Sequence, residues 1–329
     1  MLRWCLFLIV LLSAAPADAA GFQYGSAPEG DGKPLEIAIW YPSEGAVSTQ
    51  AFGLFTQDVA FYGPVAGKEL PLIVISHGTG GSAASHYDTA LALAEAGFVV
   101  VAPTHAGDNY KDQSTAFTPH NFTDRPRQVS RVIDFMLKSW GGHANIDPGR
   151  IGMLGHSAGG TTALIDLGGE PDLARAVKFC RDQAEFWGCI QAKQAAGAGA
   201  AWSGMKTPRW PHDDRVKAAA IAAPALGFAF TKEGLAAVTA PLQLWRAEND
   251  EVAPNQWFAD PIKDALPKPP DDQFVPKAGH FDFLAPCNDA LAKLAPDICR
   301  SAEGFDRAAF HQEFNKALAE FFKAKLASP

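Results

Sequence analysis

Positive charge is in short supply: Lys and Arg number 28 against 36 Asp and Glu, a net charge of −8 at pH 7. Nucleic acid and anionic membrane both require a basic surface, so neither is an expected partner. Beyond residue 20 no segment is long and apolar enough to cross a bilayer. No C-x-x-C spacing occurs, which leaves a zinc site or a redox pair without support. His77, His86, His105 and His120 lack close ligand spacing, so no metal is expected. The Gly-rich stretch Ser76-His77-Gly78-Thr79-Gly80-Gly81-Ser82 lacks the Gly-Lys-Ser/Thr ending of a P-loop, which argues against a phosphate cradle. There is no internal repeat and no linker that would divide the chain into two domains.

What is present is ordinary globular composition, 47% hydrophobic and 19% charged. Residues 21–329 are long enough for one large α/β domain, which is the expected organisation. The first twenty residues read differently. Arg3 gives a short basic start, Trp4 to Leu12 an apolar core, and Ala17-Asp18-Ala19 a small-x-small cleavage site, so 1–20 is read as a secretory signal peptide. Export to the periplasm or beyond the cell, with no stable membrane insertion after cleavage, is the expectation. Removal of that leader leaves Cys180, Cys189, Cys287 and Cys299. An even number in an exported chain suggests two disulfides, with three possible connectivities. The local pairs Cys180–Cys189 and Cys287–Cys299 are the simplest, and loops that short would each stabilise by roughly 2–3 kcal/mol on the chain-entropy model.

Apolar β-rich runs alternate with helical patterns, which predicts a mostly parallel sheet flanked by helices. Residues 35–41 alternate and stop at Pro42, as an antiparallel edge strand would. Residues 70–76 and 98–102 read as buried central strands, and residues 82–96 and 125–137 as helices. A helix is expected over 255–265 and a short last strand over 273–275. Residues 306–326 close the chain as an amphipathic helix whose Phe310, Phe314, Leu318 and Phe321 or Phe322 form a core stripe. From about 168 to 214 the periodicity breaks. This stretch holds two cysteines and Trp187, Trp202 and Trp210, and is expected to be a cap-like insertion; the alternative is a disulfide-tied surface excursion.

Gly155-His156-Ser157-Ala158-Gly159-Gly160 carries the chemistry. It follows the apolar run 151–154 and precedes a helical segment, the strand–Gly-x-Ser-x-Gly–helix order of a nucleophile held in a sharp turn. A serine hydroxyl needs a base, an acid to orient that base, and donors for the oxyanion. His280, in the loop directly after the last strand, is the candidate base; His212 precedes a strand and His311 lies within a helix. Asp250 is the candidate acid in Glu248-Asn249-Asp250-Glu251, with Glu248 as the alternative. The chain order Ser157, Asp250, His280 is the order of the α/β-hydrolase architecture. The N–H groups of Ala158 and Thr79 are the candidate oxyanion donors. His77, His156, Trp187 and Trp202 are candidate pocket residues, and Phe186, Met205 and Trp210 could join them or pack a core. Thr104 to Asp108 follows a strand end on the same side of the sheet and could line the pocket or hold a neighbouring loop.

Trp40-Tyr41-Pro42, Ser76-His77-Gly78-Thr79-Gly80-Gly81, Gly97-Phe98-Val99-Val100, the Ser157 motif and His280-Phe281-Asp282 occur in that order. The set resembles the platelet-activating-factor acetylhydrolase-like branch of the α/β-hydrolases, often labelled predicted dienelactone hydrolases in bacteria. The resemblance implies an α/β-hydrolase fold and carboxylic-ester hydrolysis by a Ser–Asp–His triad without metal or organic cofactor. It also implies an oxyanion N–H from Thr79, after His77-Gly78, and a small-molecule ester with a short acyl group. Dienelactone hydrolases proper use a cysteine nucleophile, and Ser157 stands in its place here, so that substrate is not carried over. Other acyl bonds (a phospholipid's short acyl, a polyester, an amide) are alternatives within the class. A non-catalytic binding module on the same scaffold is the alternative outside it.

Overall fold

The structure, a computed structural model, describes residues 19–30, 32–197 and 209–327. Most of the expected leader, and Trp202 and Met205 of the insertion, lie outside those residues. Among the described residues ten strands form one sheet: β1 (Ala19–Ala27), β2 (Leu35–Ser43), β3 (Ser48–Phe52), β4 (Phe55–Phe61), β5 (Leu70–Ser76), β6 (Val99–Pro103), β7 (Ile146–His156), β8 (Val216–Ala222), β9 (Leu242–Ala247) and β10 (Asp271–Val275). Their order is β10-β9-β8-β7-β5-β6-β2-β1-β4-β3. The six strands from β10 to β6 run parallel, as the alternation of apolar runs and helices requires.

Side chains leave a strand to alternate faces, so each central strand feeds two cores. Leu72, Val74, Val99 and Val101 face one core. Ile73, Ile75, Val100 and Ala102 face the other. The α-helices of the described residues are α1 (Tyr87–Glu95), α2 (Asn121–Lys138), α3 (Ala158–Asp166), α4 (Leu173–Asp182), α5 (Trp187–Gly197), α6 (Ala259–Ala265), α7 (Asp289–Leu294), α8 (Pro296–Cys299) and α9 (Arg307–Lys325). Val129, Val132, Ile133 and Met136 of α2 pack on the first face with α3 and α6. Phe314, Leu318, Phe321 and Phe322 of α9 pack on the second with α1. Asp306 caps α9, its carboxylate accepting the Ala309 N–H at 3.0 Å. Among the described residues no helix is long and apolar enough to cross a membrane.

Several sequence expectations shift. Strand β2 is not an edge: it lies between β6 and β1, antiparallel to both, and runs through Pro42 to Ser43. Pro42 pairs opposite Ala20, and its carbonyl accepts from Ala66 N–H. Helix α1 starts at Tyr87 rather than near 82, because Ser82 N–H bonds Ser85 Oγ and Ala84 N–H bonds Ser82 Oγ. Such local side-chain bonds favour turns over a helix. Helix α2 starts a turn before Arg125 and takes Pro126 inside it. Helix α6 begins only at Ala259, and β10 begins two residues earlier than expected. The described part of the region lacking periodicity contains α4 and α5, tied by Cys180–Cys189, while Cys287–Cys299 ties the segment just before α7 to the end of α8.

At the far end of α3, Asp166 is buried, and neither carboxylate oxygen has a hydrogen-bond partner among the described residues. Burial pushes its carboxyl well above the usual range; Asp213 adds to the rise and Arg215 opposes it. The folded chain therefore holds this proton at pH values where the unfolded chain, titrating near 3.9, has released it. This contribution to stability is fully present below the unfolded value and is lost as pH rises toward the folded one. Asp166→Asn has no such proton to lose. Its melting temperature relative to wild type is expected to rise between pH 4.5 and pH 8 in paired thermal melts. An offset that does not change with pH would contradict this.

Candidate active site

In a parallel sheet the crevice forms at the carboxyl ends of strands, where chain order reverses. Here the reversal falls at β5, which has β6 on one side and β7 on the other. The loops leaving β5 and β7 therefore diverge around one crevice, and they carry Thr79 and Ser157. Strand β7 ends at His156 and α3 begins at Ala158. Ser157 between them has φ +53° and ψ −116°, a conformation that non-glycine residues avoid. The turn is held from several sides. Ser157 N–H bonds Ala222 O at 2.9 Å, and Ser157 O accepts from Gly160 and Ala225 N–H. Only glycine fits at its two flanks. A Cβ on Gly155 would collide with the main chain of Gly159, and one on Gly159 with the carbonyl of Ser76.

His280 follows β10 in a short 3-10 turn, His280–Phe283. Its Nδ1–H donates to Asp250 Oδ2 at 2.9 Å, with Oδ1 at 3.1 Å, and both side chains are buried. Asp250 Oδ1 also accepts the N–H groups of Val252 at 3.0 Å and Ala253 at 2.6 Å. An acceptor-only carboxylate fixes the proton on Nδ1 and leaves Nε2 as a bare acceptor. Glu248 has a different partner: its Oε2 accepts the Lys277 N–H at 2.7 Å.

Three imidazoles brace the turn that carries His280. His156 Nε2–H donates to the carbonyl of His280 at 3.1 Å, His311 Nε2–H to that of Asp282 at 2.9 Å, and His86 Nδ1–H to that of Phe283 at 3.1 Å. Burial pushes His86 down to about 4, against an opposing pull from Asp88. Burial, and then the charge His280 can carry, pushes His156 well below the usual range. Both rings stay neutral at physiological pH, each donating one N–H. Asp282 adds a further tie, accepting Gly279 N–H at 2.7 Å and Arg307 Nε–H at 2.9 Å.

The loop after β5 rests on a buried ion pair. Asp108 and Arg125 meet at 2.7 Å, both side chains fully buried. Asp108 Oδ1 accepts the Gly80 N–H at 2.9 Å, and Arg125 donates to the carbonyl of His77. His77 was expected at the pocket, but its ring lies beneath this loop rather than on the wall. It is 1% exposed and accepts the His105 N–H at 3.1 Å. Burial and the Arg125 charge push His77 and His105 well below the ordinary histidine value, so neither adds a second cation beside Arg125. Nothing in the sequence names a partner for Arg125. The available signal was a cation on the apolar stripe of α2, one turn before Val129.

A cavity of about 820 Å³ opens above these loops, lined by Thr79, His156, Ser157, Ala158 and His280 together. The N–H groups of Thr79 and Ala158 have no acceptor among the described residues. Phe186 and Trp187, from the α4–α5 segment, also line it. Trp210 instead packs in a small core with Ile165 and Leu173. The residues lining this one space bring together a hydroxyl in a strained turn, an imidazole oriented by a carboxylate, and unpaired N–H donors.

Residues 73–294 match a family described as the alpha/beta hydrolase family. No curated protein matches the chain.

Proposed function

The chain belongs to the alpha/beta hydrolase family, and on that premise we propose that it is an exported serine hydrolase of carboxylic esters. The observation that carries this reading is that His280, bonded to Asp250, lines the same cavity as Ser157. In the proposed reaction Ser157 Oγ attacks the ester carbonyl carbon while His280 Nε2 takes its proton. Asp250 stabilises the imidazolium so formed. The N–H groups of Ala158 and Thr79 hold the negative oxygen, and each such donor is typically worth about 3–4 kcal/mol in the transition state. The bond from carbonyl carbon to the alcohol oxygen breaks, and the alcohol leaves with the proton from Nε2. Water then attacks the acyl group on Ser157, giving its proton to His280. The free acid departs and Ser157 regains its proton.

Two disulfides support an oxidising, exported location. The Trp40-Tyr41-Pro42 and Ser76-His77-Gly78 elements support placement in the platelet-activating-factor acetylhydrolase-like branch. A fluorophosphonate probe tests the reading directly, because it phosphonylates only an activated serine. Wild type is expected to gain one adduct, mapped to Ser157, and Ser157→Ala none. Folded wild type that stays unlabelled would remove the enzymatic reading and leave the scaffold as a binding module.

A further inference from the structure

An acetyl ester's reacting atoms would take up little of the room above Ser157. At about 820 Å³ the cavity sits near the upper end of the roughly 300–1,000 Å³ typical of small-molecule sites. One wall is aromatic and prebuilt. Phe186, between α4 and α5, meets Phe258 with ring centroids 5.6 Å apart, and Phe258 meets Phe228 at 5.2 Å. Behind them Phe179 stacks on Phe228 at 3.8 Å. Rings that support one another need no reorganisation to receive an apolar group, which lowers the entropic cost of binding. The Cys180–Cys189 disulfide closes the α4–α5 segment and so fixes the backbone that presents Phe186.

Charge is distributed the opposite way. Among the described residues the charged side chains lining the cavity, histidine aside, are Arg181, Glu185 and Lys193, and all three residues are exposed. Arg181 is already paired with Asp182 at 3.4 Å. A carboxylate or ammonium carried down to the Phe186–Phe258–Phe228 wall would lose its water without meeting a counter-charge among the described residues, which is strongly unfavourable.

We propose that the substrate is an uncharged ester carrying a bulky apolar group, aryl or extended alkyl, seated on the Phe186–Phe258–Phe228 wall, with Phe186 determining specificity. This rests on the ester-hydrolase reading and narrows it away from esters that are small on both sides. Trp187, half-exposed and edge-on to Phe117 at 5.1 Å, extends the same apolar surface from α5 to the loop before α2.

Two ester series on the disulfide-intact chain test the proposal. The first varies the acyl group, from p-nitrophenyl acetate to decanoate. The second varies the alcohol within one leaving-group class at a time, from ethyl to decyl acetate and from phenyl to 2-naphthyl acetate. In at least one series kcat/KM is expected to rise about tenfold or more from the smallest member to the best. Whichever series rises tells whether the acyl or the alcohol side uses the wall, and whether alkyl or aryl acetates gain more with size tells which shape it prefers. A succinate half-ester, anionic at its far end, is expected to react at least about a hundredfold more slowly than the matching pentanoate. Phe186→Ala is expected to lower kcat/KM for the best large ester at least about tenfold more than for ethyl acetate, which is small on both sides. Trp187→Ala, at a half-exposed position, gives the same comparison if Phe186→Ala does not fold. The proposal is overturned if kcat/KM falls with size in both series, or if the foldable variant lowers small and large esters by one common factor. Fluorophosphonate labelling separates the two levels. A labelled Ser157 with a preference for small esters removes only this inference, whereas an unlabelled, folded chain removes the ester-hydrolase reading beneath it.

Discussion

His280→Ala is expected to lower kcat by about a millionfold, the loss seen when a histidine base is removed from a comparable serine hydrolase. Ser157→Ala should cost about the same, and the double variant little more, because hydroxyl and imidazole act as one unit. The chain should stay folded through the His280 change. The bonds that brace the 280–283 turn, from His156, His311 and His86, end on main-chain carbonyls rather than on the imidazole. The turn and the cavity floor therefore survive the loss of the side chain. Initial rates on the best ester, with circular dichroism to verify folding, measure the effect. A folded His280→Ala chain retaining more than about one hundredth of wild-type turnover would remove His280 from the role of base.

The residues that line the cavity are largely legible in the sequence, and for one physical reason. In a parallel sheet every loop at the carboxyl end of a strand opens on the same side. A serine, a carboxylate and a histidine that each follow a strand are thereby brought toward one rim. The choice between Asp250 and Glu248 was less legible, because two carboxylates within one turn differ only in which way the turn points them. Three features were hidden. Arg125 had no visible partner until Asp108, 17 residues away, was placed against it. His86 reaches the Phe283 carbonyl across a separation of 197 residues, which no local pattern records. His311 reads as an ordinary helical position, and only the packing of α9 beside the 280–283 turn gives it Asp282 as a partner. The outer strands β1, β3 and β4 were missed for another reason. β1 begins where a cleavage motif dominates the sequence signal, and the β3–β4 hairpin is short and half exposed.

Asp250→Asn is expected to lower kcat by about ten-thousandfold, the scale found when an orienting aspartate is replaced by asparagine in such a triad. The local bonds dictate how the amide would sit. Its oxygen takes over acceptance from the Val252 and Ala253 N–H groups, which keeps the turn intact. Its NH2 then faces His280 Nδ1, where an acceptor is needed. Two donors cannot share that contact, so the imidazole moves its proton to Nε2 and can no longer take one from Ser157. The loss should fall on kcat with the melting temperature little changed, and that separation distinguishes a tautomer defect from unfolding. Glu248→Gln is the matched control, because a glutamine oxygen can still accept the Lys277 N–H that Glu248 accepts now. Its turnover should stay close to wild type. If the two results were exchanged, the orienting carboxylate would be Glu248, and the Asp250–His280 contact would be a packing feature of the β9 and β10 loops.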